Sequence, residues 1–208
     1  MRPSSMRKRE AVLKAAERQF LATGYESVTM DSIAAESGVA KQTLYSHFGS
    51  KRALFLELVS TRTRDATRHV QETSPQVGPD AEPRTLLRDL LRAQLRTVLT
   101  PTLLGLRRLV IGELARSPEL ATALYEHGPG KAIEKLATTL RRFDELGKLR
   151  VPDPDLAASQ LNWLVMGEPL NRAMLLGDGA ARMDDAAIER HVEAALDVFL
   201  AAFTPSAG

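Results

Sequence analysis

The chain contains no cysteine. Disulfides, thiolate catalysis and cysteine-ligated zinc are therefore excluded, and the absence fits a reducing, cytoplasmic setting. No apolar stretch reaches the roughly 18 residues that a membrane span requires, and no secretory apolar segment follows the N-terminus. No alternating apolar and polar run marks a strand. The motifs of common enzymes are missing as well. His47, His69, His127 and His191 are the only histidines, and none stands at HExxH or other close ligand spacing, so no metal site is expected. Neither a glycine-rich phosphate loop after a strand nor a GxSxG is present, and no catalytic residue or cofactor is assigned.

What is present is ordinary in amount and uneven in arrangement. The 208 residues are 44% hydrophobic and 26% charged, with a formal net charge of +2. Residues 1–70 carry 12 Lys and Arg against 7 Asp and Glu, a net of +5; the remaining 138 carry 16 against 19, a net of −3. A basic front with a mildly acidic rear points to an anionic partner for the front alone.

Apolar residues recur at helical spacing nearly throughout, which predicts an all-α fold of about nine helices with short connections. Residues 1–5 read as a loose end before a first helix that carries Val12, Ala15, Ala16 and Phe20 inward and stops at Gly24. Thr29 can cap a short second helix through Ile33 and Ala34, and Gly38 breaks it. A third piece spans 40–48, and Ser50 can cap a longer helix to about Val70. The turn-rich 73–83 is the expected linker. Beyond it lie amphipathic segments ended by Pro101, by "HGPG" (127–130), by Gly147 and by "GDG" (177–179). A last helix runs from about 184 to 203.

The segment "DSIAAESGVAKQTLYSHFGSK" (31–51) has the makings of a helix-turn-helix. Gly38 suits the left-handed turn, Ile33 and Val39 flank it as anchors, and Leu44 and Phe48, at i and i+4, face inward together. That leaves Lys41, Gln42, Thr43, Ser46 and His47 outward or flanking, with chemistry suited to base edges and phosphate oxygens. A short helical hairpin of no special function would show the same glycine and periodicity.

Residues 7–55 resemble the N-terminal domain of the TetR family of bacterial transcriptional regulators. The run "GYESVTMDSIAAESGVAKQTLYSHFGSKRALF" carries the likeness, in its Gly-Tyr, Thr29, Ile33-Ala34, Gly38-Val39, "TLYSHF" and Lys51. The resemblance implies a DNA-binding domain over about 1–52, with the helix-turn-helix at about 32–51 and the third helix in the major groove. By the same resemblance Lys41, Gln42 and Ser46 are candidate base readers. Thr43, Tyr45, His47 and Lys51 are candidate phosphate contacts, with Thr29 contributing at the start of helix two. Tyr45 has a second role open to it, packing beside helix one, and His47 another, satisfying a local backbone group. Ala40 stands where many relatives carry serine, so the third helix should start without a side-chain cap. "RKR" (7–9) is either a phosphate-binding arm or a solvated helix start.

The rear, 53–208, contains a stretch at about 104–167 similar to AefR-like repressors, which implies an effector-binding and dimerisation domain. Leu103, Leu106, Val110, Phe143, Trp163 and Met166 are candidate pocket residues, with Arg107, Asn162, Glu168 and Asn171 as polar candidates. Ile188, Val192, Leu196, Phe199 and Phe203 form an apolar stripe that, with "LNWLVM" (161–166), is a candidate four-helix dimer interface; filling their own core is the other use for them. The expectation is a homodimeric repressor on a pseudo-palindromic double-stranded operator, released by a small, largely apolar effector. A DNA-binding regulator controlled by a protein partner is the alternative, and a helical-bundle enzyme a remote one.

Overall fold

The computed structural model describes residues 3–73, 77–177, 179 and 183–204. Among these residues there are ten α-helices and no strand, in keeping with the all-α expectation. They are α1 (Pro3–Thr23), α2 (Met30–Ser37), α3 (Lys41–Phe48), α4 (Lys51–Thr73), α5 (Pro83–Val98), α6 (Pro101–Gly112), α7 (Pro118–His127), α8 (Pro129–Glu145), α9 (Pro154–Leu176) and α10 (Asp185–Phe203). The first helix begins at Pro3 rather than near Met6; no inward apolar residue marks that extra turn, so periodicity does not reveal it. Residues 74–76 of the expected linker and Asp178 of "GDG" lie outside the described residues.

The chain divides into two compact units, Met1–Thr63 with Gly105–Tyr125 and Arg64–Leu104 with Glu126–Gly208. This differs from a single boundary at residue 52. The reason is the core of the first unit: Val12, Leu13, Phe20, Ile33, Leu44 and Phe55 are completed by Leu106 and Val110 of α6 and Leu120 of α7. Within that core the rings of Phe20 and Phe55 lie 4.9 Å apart and that of Tyr25 5.1 Å from Phe55, spacings at which aromatic pairs add to area burial.

The second unit packs the inner faces of α5, α8, α9 and α10 around Leu91, Leu140, Phe143, Leu161, Val165 and Leu196. One polar pair is enclosed there, Gln94 Nε2 donating to Asn162 Oδ1 at 2.9 Å, which leaves neither amide abandoned in an apolar interior. Along its outer edge α5 carries arginine at every fourth position. Arg84 pairs with Glu193 and Asp197 (2.7 and 2.8 Å), Arg92 with Glu189 (2.5 Å) and Arg96 with Asp185 (3.0 Å). Arg88 lies 3.9 Å from both Glu189 and Glu193. The acidic partners follow one another in reverse order on α10, so the two helices run antiparallel in a defined register.

Candidate nucleic-acid interface

The outward face of α3 is assembled by local chemistry that the sequence announces. Gly24, at φ +83°, turns the chain out of α1. Thr29 then caps α2: its hydroxyl accepts from Ser32 N at 3.1 Å, while Ser32 Oγ accepts from Thr29 N at 3.3 Å. The helix is braced against α1 by Gln19, whose amide oxygen accepts from Ser32 Oγ at 2.6 Å and whose Nε2 donates to Glu36 Oε2 at 2.6 Å. Arg18 Nε donates to the other Glu36 oxygen at 2.7 Å. These two donors, Gln19 first, hold the Glu36 carboxyl below the usual carboxylate range.

Gly38 ends α2 at φ +66°, ψ +18°, a left-handed conformation that a Cβ would disfavour. Helix α3 follows without a side-chain cap on Ala40, as its sequence foretells. Leu44 and Phe48 are buried. Lys41, Gln42, Tyr45, Ser46 and His47 are exposed and Thr43 half-buried, so one face of an eight-residue helix carries hydrogen-bonding groups into solvent. Tyr45 is 42% exposed, and its ring lies 6.0 Å from Lys41 Nζ, so it does not take the packed role beside helix one. Ser46 Oγ donates to Thr43 O at 2.9 Å.

Two cations behave in ways the sequence does not disclose. Lys41 Nζ is held by Asp31 at 2.8 Å, and that hydrogen bond raises the Lys41 pKa. Asp31, in the first turn of α2, thus holds one cation of the exposed α3 face. Lys51 points into its own unit: Nζ donates to Tyr25 O (2.9 Å) and Glu26 O (3.2 Å) and sits 4.5 Å above the Tyr25 ring. It clamps the α1–α2 turn. Thr29 likewise spends its hydroxyl on the cap.

The rear candidates are placed otherwise than expected. Leu106 and Val110 are buried in the first unit's core, and Phe143 and Met166 in the second's. Trp163 is 44% exposed and Leu103 half-buried; helical apolarity marks an inward face without saying which neighbour it meets. Arg107 is half-buried, and burial lowers its pKa. Asn162 is committed to Gln94, while Glu168 and Asn171 are exposed. Ile188, Val192, Leu196 and Phe199 fill their own core, with Phe203 packed against it, its ring tilted against that of Phe199 at 4.6 Å. The expected interface stripe is therefore internal. The large apolar residues turned outward on these helices are Leu156, Trp163, Leu164, Leu175 and Leu176 of α9 and Val198 of α10.

Among the described residues no group of three or more His, Asp or Glu is placed to hold a metal, and no helix is long and apolar enough to cross a membrane. The front unit is a helix-turn-helix module with a polar outward third helix. Residues 12–58 match the family of bacterial regulatory proteins called the tetR family, and residues 85–205 match the C-terminal domain of AefR-like transcriptional repressors. The chain belongs to the TetR family and is a DNA-binding transcriptional regulator. A TetR-family transcriptional regulator from Mesorhizobium loti has a similar structure, with a TM-score of 0.88 and 31% identity over 98% of this chain and 100% of that one. The flavonoid-responsive regulator FrrA is also similar, with a TM-score of 0.79 and 35% identity over 97% and 99%. The HTH-type transcriptional repressor AcnR of Corynebacterium efficiens is 25% identical over 146 residues, 70% of this chain and 71% of that protein.

Proposed function

We propose that the protein is a homodimeric repressor that binds a pseudo-palindromic operator in the cytoplasm and leaves it when a small, largely apolar effector binds. The observation that carries this is α3: Leu44 and Phe48 anchor it while Lys41, Gln42, Tyr45, Ser46 and His47 stand in solvent. Lys41, Gln42 and Ser46 read base edges; Thr43, Tyr45 and His47 take phosphates. Thr29 and Lys51 support that helix through the α2 cap and the α1–α2 turn. No catalytic step belongs to this reading.

Dimerisation follows from the operator, because two half-sites one helical turn apart, about 34 Å, call for two reading helices. The outward Trp163, Leu164 and Val198 suit the self-complementary contact of a two-fold axis. Release follows if the effector prefers a dimer whose reading helices are wrongly spaced, which shifts the population away from the DNA-competent form. A small-molecule response is supported by the similarity to a regulator described as flavonoid-responsive.

The test is selection of bound fragments from random duplex DNA, with and without small-molecule extracts. Enrichment of a two-fold motif, lost when an extract is added, is the expected result. Failure to retain any duplex across a salt titration overturns the DNA reading, whereas a motif insensitive to every extract overturns only the effector.

A further inference from the structure

Lys41 is the single lysine or arginine of α3, and its ammonium is already engaged. Nζ lies 2.8 Å from each oxygen of Asp31, and the Tyr45 ring stands 6.0 Å away. Both partners are open to solvent, the Lys41 side chain 59% exposed and that of Asp31 61%. The two ends of the pair are fixed differently. Asp31 belongs to a helix held by the Thr29–Ser32 capping box and by the Gln19 brace, and a carboxylate in a first helical turn sits at the favourable end of the dipole. Lys41 opens α3, which has no side-chain cap and no acid in its own first turn, an unfavourable end for a cation. The steadier carboxylate therefore decides where the ammonium rests.

Stability is a poor reason for such a pair. Exposed ion pairs add little to folding, and α2 and α3 already share a core through Ile33, Val39 and Leu44. What the pair changes is the partner that Lys41 can meet. A solitary lysine facing DNA takes a phosphate, as a mobile point charge. With a carboxylate 2.8 Å from the ammonium, a phosphate would set a second anion beside the first, and like charges oppose it. A base edge carries no net charge and meets no such penalty. The ammonium has three N–H donors; the two Asp31 oxygens can take two, which leaves one for a neutral acceptor. Guanine offers two acceptors in the major groove, N7 and O6, whereas adenine sets a donor beside its N7.

We propose that Asp31 is a specificity-determining positioning residue, which holds Lys41 for a guanine edge and keeps it from phosphate. This rests on the reading of Lys41 as a base contact. Asp31 touches no base itself and acts through Lys41 alone. Random duplexes are held chiefly through their phosphates, so the acid lowers indiscriminate affinity while it sharpens selection.

The test uses the full-length protein on the duplex recovered by the selection described above, on its single-base variants and on a random-sequence duplex. Lys41→Ala should relax the preference for guanine at one position of each half-site by about tenfold. Asp31→Asn should relax the preference at that same position by at least about threefold. It should also strengthen binding to the random duplex and steepen the salt slope by about 0.9, the share of one phosphate. The double variant should match Lys41→Ala at that position, and the melting temperature should be unchanged by Asp31→Asn. A guanine preference that survives Asp31→Asn but not Lys41→Ala overturns the positioning role and leaves the reading of Lys41 standing. Equal losses on every duplex for Lys41→Ala remove the base contact itself, and the proposal with it. A double variant worse than Lys41→Ala at that position overturns it as well, because Asp31 would then touch the base directly. Weaker binding of Asp31→Asn to all duplexes, with a lower melting temperature, would make Asp31 a structural part of α2 only.

Discussion

Helix α3 is moored by two buried side chains, Leu44 and Phe48; α10 is moored by Ile188, Val192, Ala195, Leu196, Phe199 and Leu200. The eight-residue helix offers solvent a face of Lys, Gln, Tyr, Ser and His. The 19-residue helix offers Ala194, Val198, Ala201 and Ala202, with Arg190 and Asp197 among them. In both, the face available for work is the one opposite the anchors, and its chemistry says what it can meet. Hydrogen-bonding groups on a short helix match the edges of bases. Small apolar groups match another helix. A short helix with few anchors also depends more on its surroundings, which explains the investment in the Gln19, Ser32 and Glu36 brace and in the Lys51 clamp.

The comparison breaks most decisively at the anchors. Leu44→Ala and Leu196→Ala should each destabilise the protein by about 2–5 kcal/mol in urea denaturation, since each removes a buried leucine from a packed core. Only the first should also abolish operator binding at temperatures where the protein remains folded; a mild cost for Leu44→Ala would mean that α3 is not anchored by its core. Next comes the outward face of the rear unit. Trp163→Asp should leave the melting temperature of the protomer nearly unchanged, convert the dimer to monomer in sedimentation, and weaken operator binding by about a hundredfold through lost bivalency. A dimer that survives it would move the interface off this face.

At the reading surface, Gln42→Ala should cost about 1–3 kcal/mol on the preferred operator and less on variants altered at one base pair, measured as binding to a set of single-base substitutions. A uniform loss across the set would make Gln42 a phosphate contact. The smallest effect lies in the brace. The folded-state pKa of Glu36 is depressed, so its contribution is fully present above the unfolded value of about 4.3 and is lost as pH falls through the lower folded value. Glu36→Gln should therefore flatten the acid limb of melting temperature against pH while changing little near neutrality. An unchanged acid limb would remove Glu36 from the brace.

The helices, the glycine turns and the polar face of α3 are legible in the sequence because each rests on neighbours within a few residues: a cap three positions on, an anchor four positions on. What is not legible depends on partners distant in the chain. Leu106 and Val110 announce an inward face, and nothing in their spacing says that it completes the front core. Helix α9 is apolar on two sides, Leu161 and Val165 inward and Trp163 and Leu164 outward, so no polar stripe marks its exterior. Nothing near Lys51 in the chain announces that its ammonium donates to the carbonyls of Tyr25 and Glu26, some 25 residues away.

The arginine ladder of α5 has a mechanical consequence. Its teeth recur every four residues, about 6 Å along the axis, and mesh with acidic teeth on α10 spaced the same way. A slide of half a turn would disengage them all together, whereas a slide of a whole turn would re-engage all but an end tooth. Individually such surface contacts are weak; acting in step, they make the pair of helices a rack with discrete stops, so travel along this edge of the rear unit is quantised rather than gradual.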